Sequence, residues 1–312
     1  MLWESSDPHT ALRERFGFDG FDDAVGWLAT TLAHAWGVEV QACDRILISD
    51  QNAIAWVRTD RGAMVAKWSR HQERFARFTA IADLLAALHR DGVPVAAPLA
   101  ASDGRHRVIV DSGSPPLSVM VQPLVEGDFL DSTEAAVRRA GACLASLHRA
   151  LAGHCDDRLT EAGPGVPVDL RGRVEAWLDH QDAGRAPAAS ARLREELASL
   201  SQIDGEPQLI HNDYRSANIL TAGSEILAVI DFDEVVVDHC VSDLGKASVL
   251  LCTRFRDWQP APARLREALL AGYESVRPLT GLEHRWLGAL TLWTGIAMIP
   301  AGDDPAGWAD AL

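Results

Sequence analysis

Apolar positions recur along the chain with two different periods, and the change from one to the other divides it. Residues 22–36, DDAVGWLATTLAHAW, repeat apolar side chains at helical spacing and stop before Gly37, which predicts a helix with a glycine stop. Strand-like runs follow. DRILISD (44–50), NAIAWVRTD (52–60) and AMVAKWS (63–69) are rich in branched and aromatic residues, with the turn TDRG before the last, and predict an antiparallel meander. In ERFARFTAIADLLAALHRDG the helical period returns, with Phe78, Ile81, Leu84, Leu85 and Leu88 on one arc and Gly92 past the end. RHRVIVD (105–111) and LSVMVQPLV (117–125), joined by SGSPP, predict two more strands.

From Ser132 the pattern turns helical. STEAAVRRAGACLASLHRAL opens on a Ser/Thr cap and runs long, and mostly helices follow. The change near QPLVEGD predicts a division into residues 1–124 and 125–312. Residues 155–207, with the Gly/Pro-rich loop EAGPGVPVD and two expected helices, read as an insertion. The longest apolar stretch, Trp286 to Pro300, falls short of the roughly 20 residues that cross a bilayer and predicts a buried helix. The fold class is therefore α+β, a five-stranded antiparallel sheet with helices followed by a mainly helical part.

Composition narrows the chemistry. With 312 residues and 47% hydrophobic content the chain can fill a large core. A formal charge of −15 argues against a phosphate-backbone binder and favours cationic partners over nucleic acid or membrane, though such a surface also serves solubility. Cys43, Cys143, Cys155, Cys240 and Cys252 are scattered without C-x-x-C spacing, which suits a reducing compartment and suggests neither a disulfide framework nor a zinc site. The opening MLWESSDPHTALRERF carries no basic leader before an apolar run, so a cytoplasmic location is expected.

The densest polar signal is LIHNDYRSANIL, residues 209–220, followed by the strand-like EILAVIDFDE. His211, Asp213 and Asn218 match H-x-D-x-x-x-x-N, the kinase catalytic loop, and Asp231 in IDFD falls where kinases carry their other metal-binding aspartate. Two motifs in register are hard to assign to a polar loop of coincidental spacing. On these residues the chain resembles the aminoglycoside phosphotransferase and choline kinase-like superfamily, small-molecule relatives of protein kinases. The likeness is motif-deep at 211–243 and extends in element order from about residue 40 to 300. The family commonly writes H-G-D where this chain has Asn212 in place of the glycine.

The resemblance implies a bilobal protein-kinase-like fold, ATP or GTP as donor, Mg2+ as cofactor, and a small hydroxylated, cationic acceptor. Asp213 would orient and deprotonate the acceptor hydroxyl, while Asn218 and Asp231 would hold the metal. Arg215 would stabilise charge on the transferred phosphate, unless it only forms a surface ion pair. His211 is expected to be structural, Asp243 in SDLGKA to brace the loop, and Asp233 to act through water or cap a turn. Lys67 occupies the position of the phosphate-pairing strand lysine, with Glu73 as its candidate partner. No Gly-rich loop is present, so Ser49, Gln51 and Asn52 are the phosphate-contact candidates, and Gln122 to Leu124 match the adenine hinge. His148 reads as a packing residue. Asp169, Glu175 and Asp179 are acids that could meet substrate amines, against the plainer reading of solvated helix faces.

The leading function is phosphorylation of a hydroxyl on a small molecule, with an aminoglycoside-type antibiotic preferred and homoserine, choline or a sugar as alternatives. A nucleotide-binding pseudokinase is a different class, but it would be expected to lack one of Asp213, Asn218, Asp231 or Lys67. A protein kinase is disfavoured by the missing glycine loop.

Overall fold

A computed structural model describes residues 7–49, 52–111, 115–160, 169–180, 184–203, 205–255 and 258–312. Its contacts form two compact units, Met1–Glu126 and Gly127–Leu312.

In the first unit, helices α1 (Pro8–Phe16) and α2 (Phe21–Trp36) precede strands β1 (Val40–Ile48), β2 (Asn52–Thr59) and β3 (Gly62–Ser69). Helix α3 (Phe75–Arg90) and strands β4 (Val108–Val110) and β5 (Leu117–Pro123) complete it. The sheet order is β1-β2-β3-β5-β4, antiparallel at every pairing. A two-residue turn closes β2 onto β3, with Thr59 paired to Gly62, and Gly62 takes φ +103°, a conformation open to glycine. Phe16 and Phe18 lie edge-on to Trp68, which is fully buried in the core cluster with Leu28, Leu32 and Val121.

Helix α1 is an addition to the apolar pattern. Its signals are end signals: Asp7 accepts the Thr10 N–H at 2.9 Å, Pro8 starts the first turn, and Gly17 ends it at φ +77°. Three expected elements differ in extent. Strand β1 begins at Val40, and its register shifts at Val40/Ala42 and Cys43/Arg45 break the period-two pattern. The strand expected over 105–111 shrinks to Val108–Val110, because Arg105 folds back on Asp103 (2.6 Å) and Arg107 turns onto Ser118 (2.6 Å). The helix expected from Glu73 begins at Phe75, with Gln72–Arg74 forming a separate 3-10 turn.

In the second unit the order is β6 (Asp128–Phe129), α4 (Glu134–Leu151), α5 (Asp157–Thr160), α6 (Leu170–His180) and α7 (Pro187–Ser199). Then come β7 (Gln208–Ile210), β8 (Ile219–Ala222), β9 (Glu225–Val229), β10 (Val236–Asp238), α8 (Cys240–Leu250), α9 (Ala263–Glu274) and α10 (Gly281–Met298). The strands form two small antiparallel sheets, β6-β8-β9 and β10-β7. Thr280 and Glu283 cap α10 reciprocally, and Trp286, Leu290 and Ile296 bury its inner face. Among the described residues no helix is long and apolar enough to cross a membrane.

Helices α4 and α9 pack at unusually short range. A methyl added at Gly141 would lie 2.0 Å from the Leu269 carbonyl oxygen, and one at Gly272 would lie 1.8 Å from that of Arg138. Only glycine permits this approach, and α4 in turn packs against β7 and holds the Tyr214 hydroxyl of the following loop through the Ala140 carbonyl.

Candidate active site

The polar loop runs from the end of β7 to the start of β8, and short strands hold both ends. In the β8–β9 hairpin Ile219 pairs with Val229, and the Ile230 N–H donates to the Asn218 carbonyl at 2.9 Å. Asn218, just before β8, and Asp231, just after β9, therefore emerge at the same end of one hairpin. Asn212 and Asp231 both adopt left-handed backbone, at φ +62° and +65°. That region suits glycine first and then short polar side chains, which explains how Asn212 can stand in the glycine position.

Side chains pin the loop from several directions. His211 is fully buried and packs its ring against Phe232 at 4.6 Å. Burial holds its pKa below the usual histidine value, so the ring is neutral. Its Nδ1 then accepts the Asp213 N–H (3.2 Å) and its Nε2 donates to the Ile230 carbonyl (3.1 Å). Tyr214 donates its hydroxyl to the Ala140 carbonyl in α4 at 2.8 Å. The Ser216 N–H donates to the Leu251 carbonyl, also at 2.8 Å. From α8, Asp243 accepts the N–H groups of His211 and Asn212, each at 3.0 Å. Burial opposes its charge, but His148 and Lys246 outweigh that and keep its carboxyl below the usual range.

The geometry converges on Asp213. Asn218 donates its Nδ2 to the Asp213 carboxylate at 2.7 Å and to its backbone carbonyl at 2.9 Å. The Asn218 amide oxygen is thereby left as the atom offered to a cation. Together with the Asp231 carboxylate it makes a donor set of one neutral and one anionic oxygen, which fits magnesium, an ion that keeps several water and phosphate ligands. Among the described residues no group of three or more His, Cys, Asp or Glu side chains could hold a metal. Arg215 donates its Nε to both Asp213 oxygens, at 3.0 and 3.1 Å, and lies 5.6 Å from the Trp258 ring. Its Nη1 is buried without a hydrogen-bond partner among the described residues.

The other sequence candidates lie among the following neighbours. Glu73 sits in the 3-10 turn rather than on α3, and its exposed carboxylate meets His71 at 2.9 Å. Lys67 lies mid-strand in β3, paired in register with Ile54 and Met120. Ser49 and Asn52 close the β1–β2 turn on each other, with the Asn52 N–H donating to the Ser49 hydroxyl at 3.0 Å; Gln51 is outside the described residues. Gln122 pairs with Val65, and Leu124 donates its N–H to the Ala63 carbonyl at 2.9 Å. Asp169 accepts the Gly172 N–H at 2.7 Å at the start of α6, and Asp179 on α6 pairs with Arg194 on α7 at 3.3 Å.

Two residues without a functional assignment from sequence stand out. Lys246 donates to the Asn212 carbonyl at 2.5 Å. Its signal was its place three residues after Asp243, on the same helix face. His148, expected only to pack, is hydrogen-bonded to Asp243 at 3.0 Å and Tyr273 at 2.8 Å.

A model of the phosphotransferase enzyme family matches residues 48–285. The homoserine kinase of Pseudomonas aeruginosa is 32% identical over 211 residues, which cover 64% of this chain and 61% of that protein's length. The structure of a microcompartment-associated aminopropanol kinase superposes with a TM-score of 0.65 at 21% identity, covering 92% of each chain. Amicoumacin kinase hAmiN, solved with AMP-PNP, Ca2+ and Ami, gives 0.63 at 15% identity, covering 91% of this chain and 87% of its own. These likenesses establish a kinase-like α+β fold.

Proposed function

Since the chain belongs to the phosphotransferase enzyme family, we propose that it transfers the terminal phosphoryl group of ATP to a hydroxyl of a small amine-bearing molecule. One observation carries this reading: Asp213 is held by Asn218 in a loop whose backbone is fixed by Asp243, so a carboxylate is immobilised beside a metal-competent amide. Phosphoryl transfer asks the protein mainly for positioning and charge stabilisation.

Asp213 orients the acceptor hydroxyl and takes its proton. Asn218 keeps that carboxylate in place through its Nδ2 and, with Asp231, holds magnesium through oxygen. A bound magnesium ion neutralises charge on the nucleotide phosphates. Arg215 exchanges its contact with Asp213 for the transferred phosphoryl group, to which its buried Nη1 is a ready donor. In the first unit Lys67 pairs with nucleotide phosphates beneath the hairpin framed by Ser49 and Asn52, the β5 end at Gln122–Leu124 takes the purine, and Glu73 lies outside this set.

The acceptor class follows from a common denominator. Homoserine and aminopropanol, named in two of the similar proteins, each carry a hydroxyl and an amine. Aminopropanol is a cation at neutral pH and homoserine a zwitterion, and the −15 charge of this chain favours the cation. An aminoglycoside-type antibiotic is the larger member of the same class. The test is coupled ADP release over homoserine, aminopropanol, choline, aminoglycosides and neutral sugars, with ATP or GTP. Turnover is expected with an amino alcohol, and Asp213→Ala is expected to lose about 10³-fold in kcat while still binding nucleotide by calorimetry. Wild-type turnover in that variant, or ADP release only with neutral sugars, would remove this proposal.

A further inference from the structure

Beside the Asp213 carboxylate stands an aromatic pair that the chemistry above does not use. Phe255 and Trp258, in the segment between α8 and α9, are 44% and 38% exposed. They are two of only four large hydrophobic side chains exposed among the described residues, and they lie three positions apart. Isolated exposed apolar groups are ordinary on a protein surface, whereas neighbouring ones mark a contact face. Phe255 also takes φ +23°, a backbone conformation that a bulky side chain rarely adopts. The Trp258 indole N–H donates to the Phe255 carbonyl at 2.8 Å, and Phe129 of β6 meets the Phe255 ring edge-on at 5.1 Å. Both rings are therefore anchored.

The Trp258 ring already has a cation beside it. The Arg215 Cζ lies 5.6 Å from the ring centre, within the range of a cation–π contact, while Nε of the same guanidinium donates to both Asp213 oxygens at 3.0 and 3.1 Å. One positive group thus spans the indole and the catalytic carboxylate.

We propose that the Trp258 face is the seat of the acceptor's ammonium group, for which the Arg215 guanidinium stands in, and that Trp258 thereby selects amine-bearing acceptors over neutral alcohols. The inference rests on the phosphotransferase reading above for the reaction and adds the residue that recognises its acceptor.

Geometry and charge argue together. The acceptor hydroxyl has to reach Asp213, and Arg215 Nε holds both oxygens of that carboxylate. Acceptor binding therefore exchanges one hydrogen-bonded group for another at Asp213 and uncovers the indole face. In aminopropanol a short carbon chain separates hydroxyl from ammonium, so with its oxygen at Asp213 its nitrogen comes to the place the guanidinium leaves. The ring quadrupole attracts that cation and gives nothing to a neutral hydroxyl. A second carboxylate in this position would trap Arg215 and keep it from the phosphoryl group, whereas an aromatic face attracts the ammonium without that competition.

The test compares wild type, Trp258→Leu, which keeps apolar bulk but has no π face, and Trp258→Phe, which keeps a weaker one. Two measurements are made on the full chain with magnesium. The first is kcat and KM for aminopropanol and for propanediol, which carries a neutral hydroxyl in place of the ammonium. The second is the shift of the Trp258 indole N–H signal, identified by its loss in Trp258→Phe, when either compound is added to the protein loaded with AMP-PNP. We expect aminopropanol to move that signal and propanediol to leave it. Trp258→Leu should raise KM for aminopropanol about tenfold with kcat within about twofold, and should change kcat/KM for propanediol by less than about twofold. Trp258→Phe should fall between, and it decides the matter if the leucine variant does not fold. An equal loss on both acceptors would make Trp258 a packing residue and overturn the proposal, as would an unchanged preference for the amine in folded Trp258→Leu. Absence of amine turnover in wild type, or full turnover by Asp213→Ala, defeats the phosphotransferase reading and this inference with it, and is seen without any Trp258 variant.

Discussion

Asn212 shows how one residue carries a conformational demand. Its φ of +62° lets the His211 and Asn212 N–H groups both face Asp243, and its Nδ2 reaches the Glu234 carbonyl at 3.3 Å. Left-handed backbone costs an ordinary L residue about 1–2 kcal/mol. Asn212→Ala should therefore lower stability by roughly that amount and reduce kcat, whereas Asn212→Gly should stay within about 0.5 kcal/mol of wild type in a denaturant titration. The loop was legible in sequence because its spacing is local: His211, Asp213 and Asn218 all sit in the single loop between β7 and β8. His148 was not, because its partners lie 95 and 125 residues away, and no local pattern marks a buried ring by what it meets across the fold.

At the level of elements, the crossing of α4 and α9 governs how the loop's floor is built. Gly141 and Gly272 let the two backbones touch, and the same crossing sets Tyr273 against His148 and the Ala140 carbonyl against the Tyr214 hydroxyl. Gly272→Ala would drive a methyl into the Arg138 carbonyl, so it should destabilise by about 3 kcal/mol, read as a fall in thermal midpoint, with kcat falling in the protein that remains folded. Longer elements announced themselves by period and by caps, as α2 did at Gly37 and α10 at its Thr280–Glu283 box. The two- and three-residue strands β6, β7 and β10 had no room for a period, and the bulges in β1 erased the one it had.

For the whole molecule, the net charge of −15 is the property that acts at a distance. It draws cationic solutes toward the protein and is screened over about 10 Å at 0.1 M salt. If the acceptor carries a net positive charge, kcat/KM should fall several-fold between low and physiological ionic strength, while a net-neutral acceptor of similar size should change little. Steady-state kinetics over a salt series would separate the two, and equal slopes would remove charge from the account of selectivity.

Strand β3 adds a safeguard of its own. Ala66 and Trp68 point into the core and Lys67 away from it, with Trp68 opposite Ala53 and Val119. Because the strand repeats every two residues, sliding it by a single position would thrust an ammonium group among aromatic rings and lift an indole into water. The misaligned hairpin would be self-rejecting, so the one strand lysine of this chain cannot arrive in a folded protein facing the wrong way.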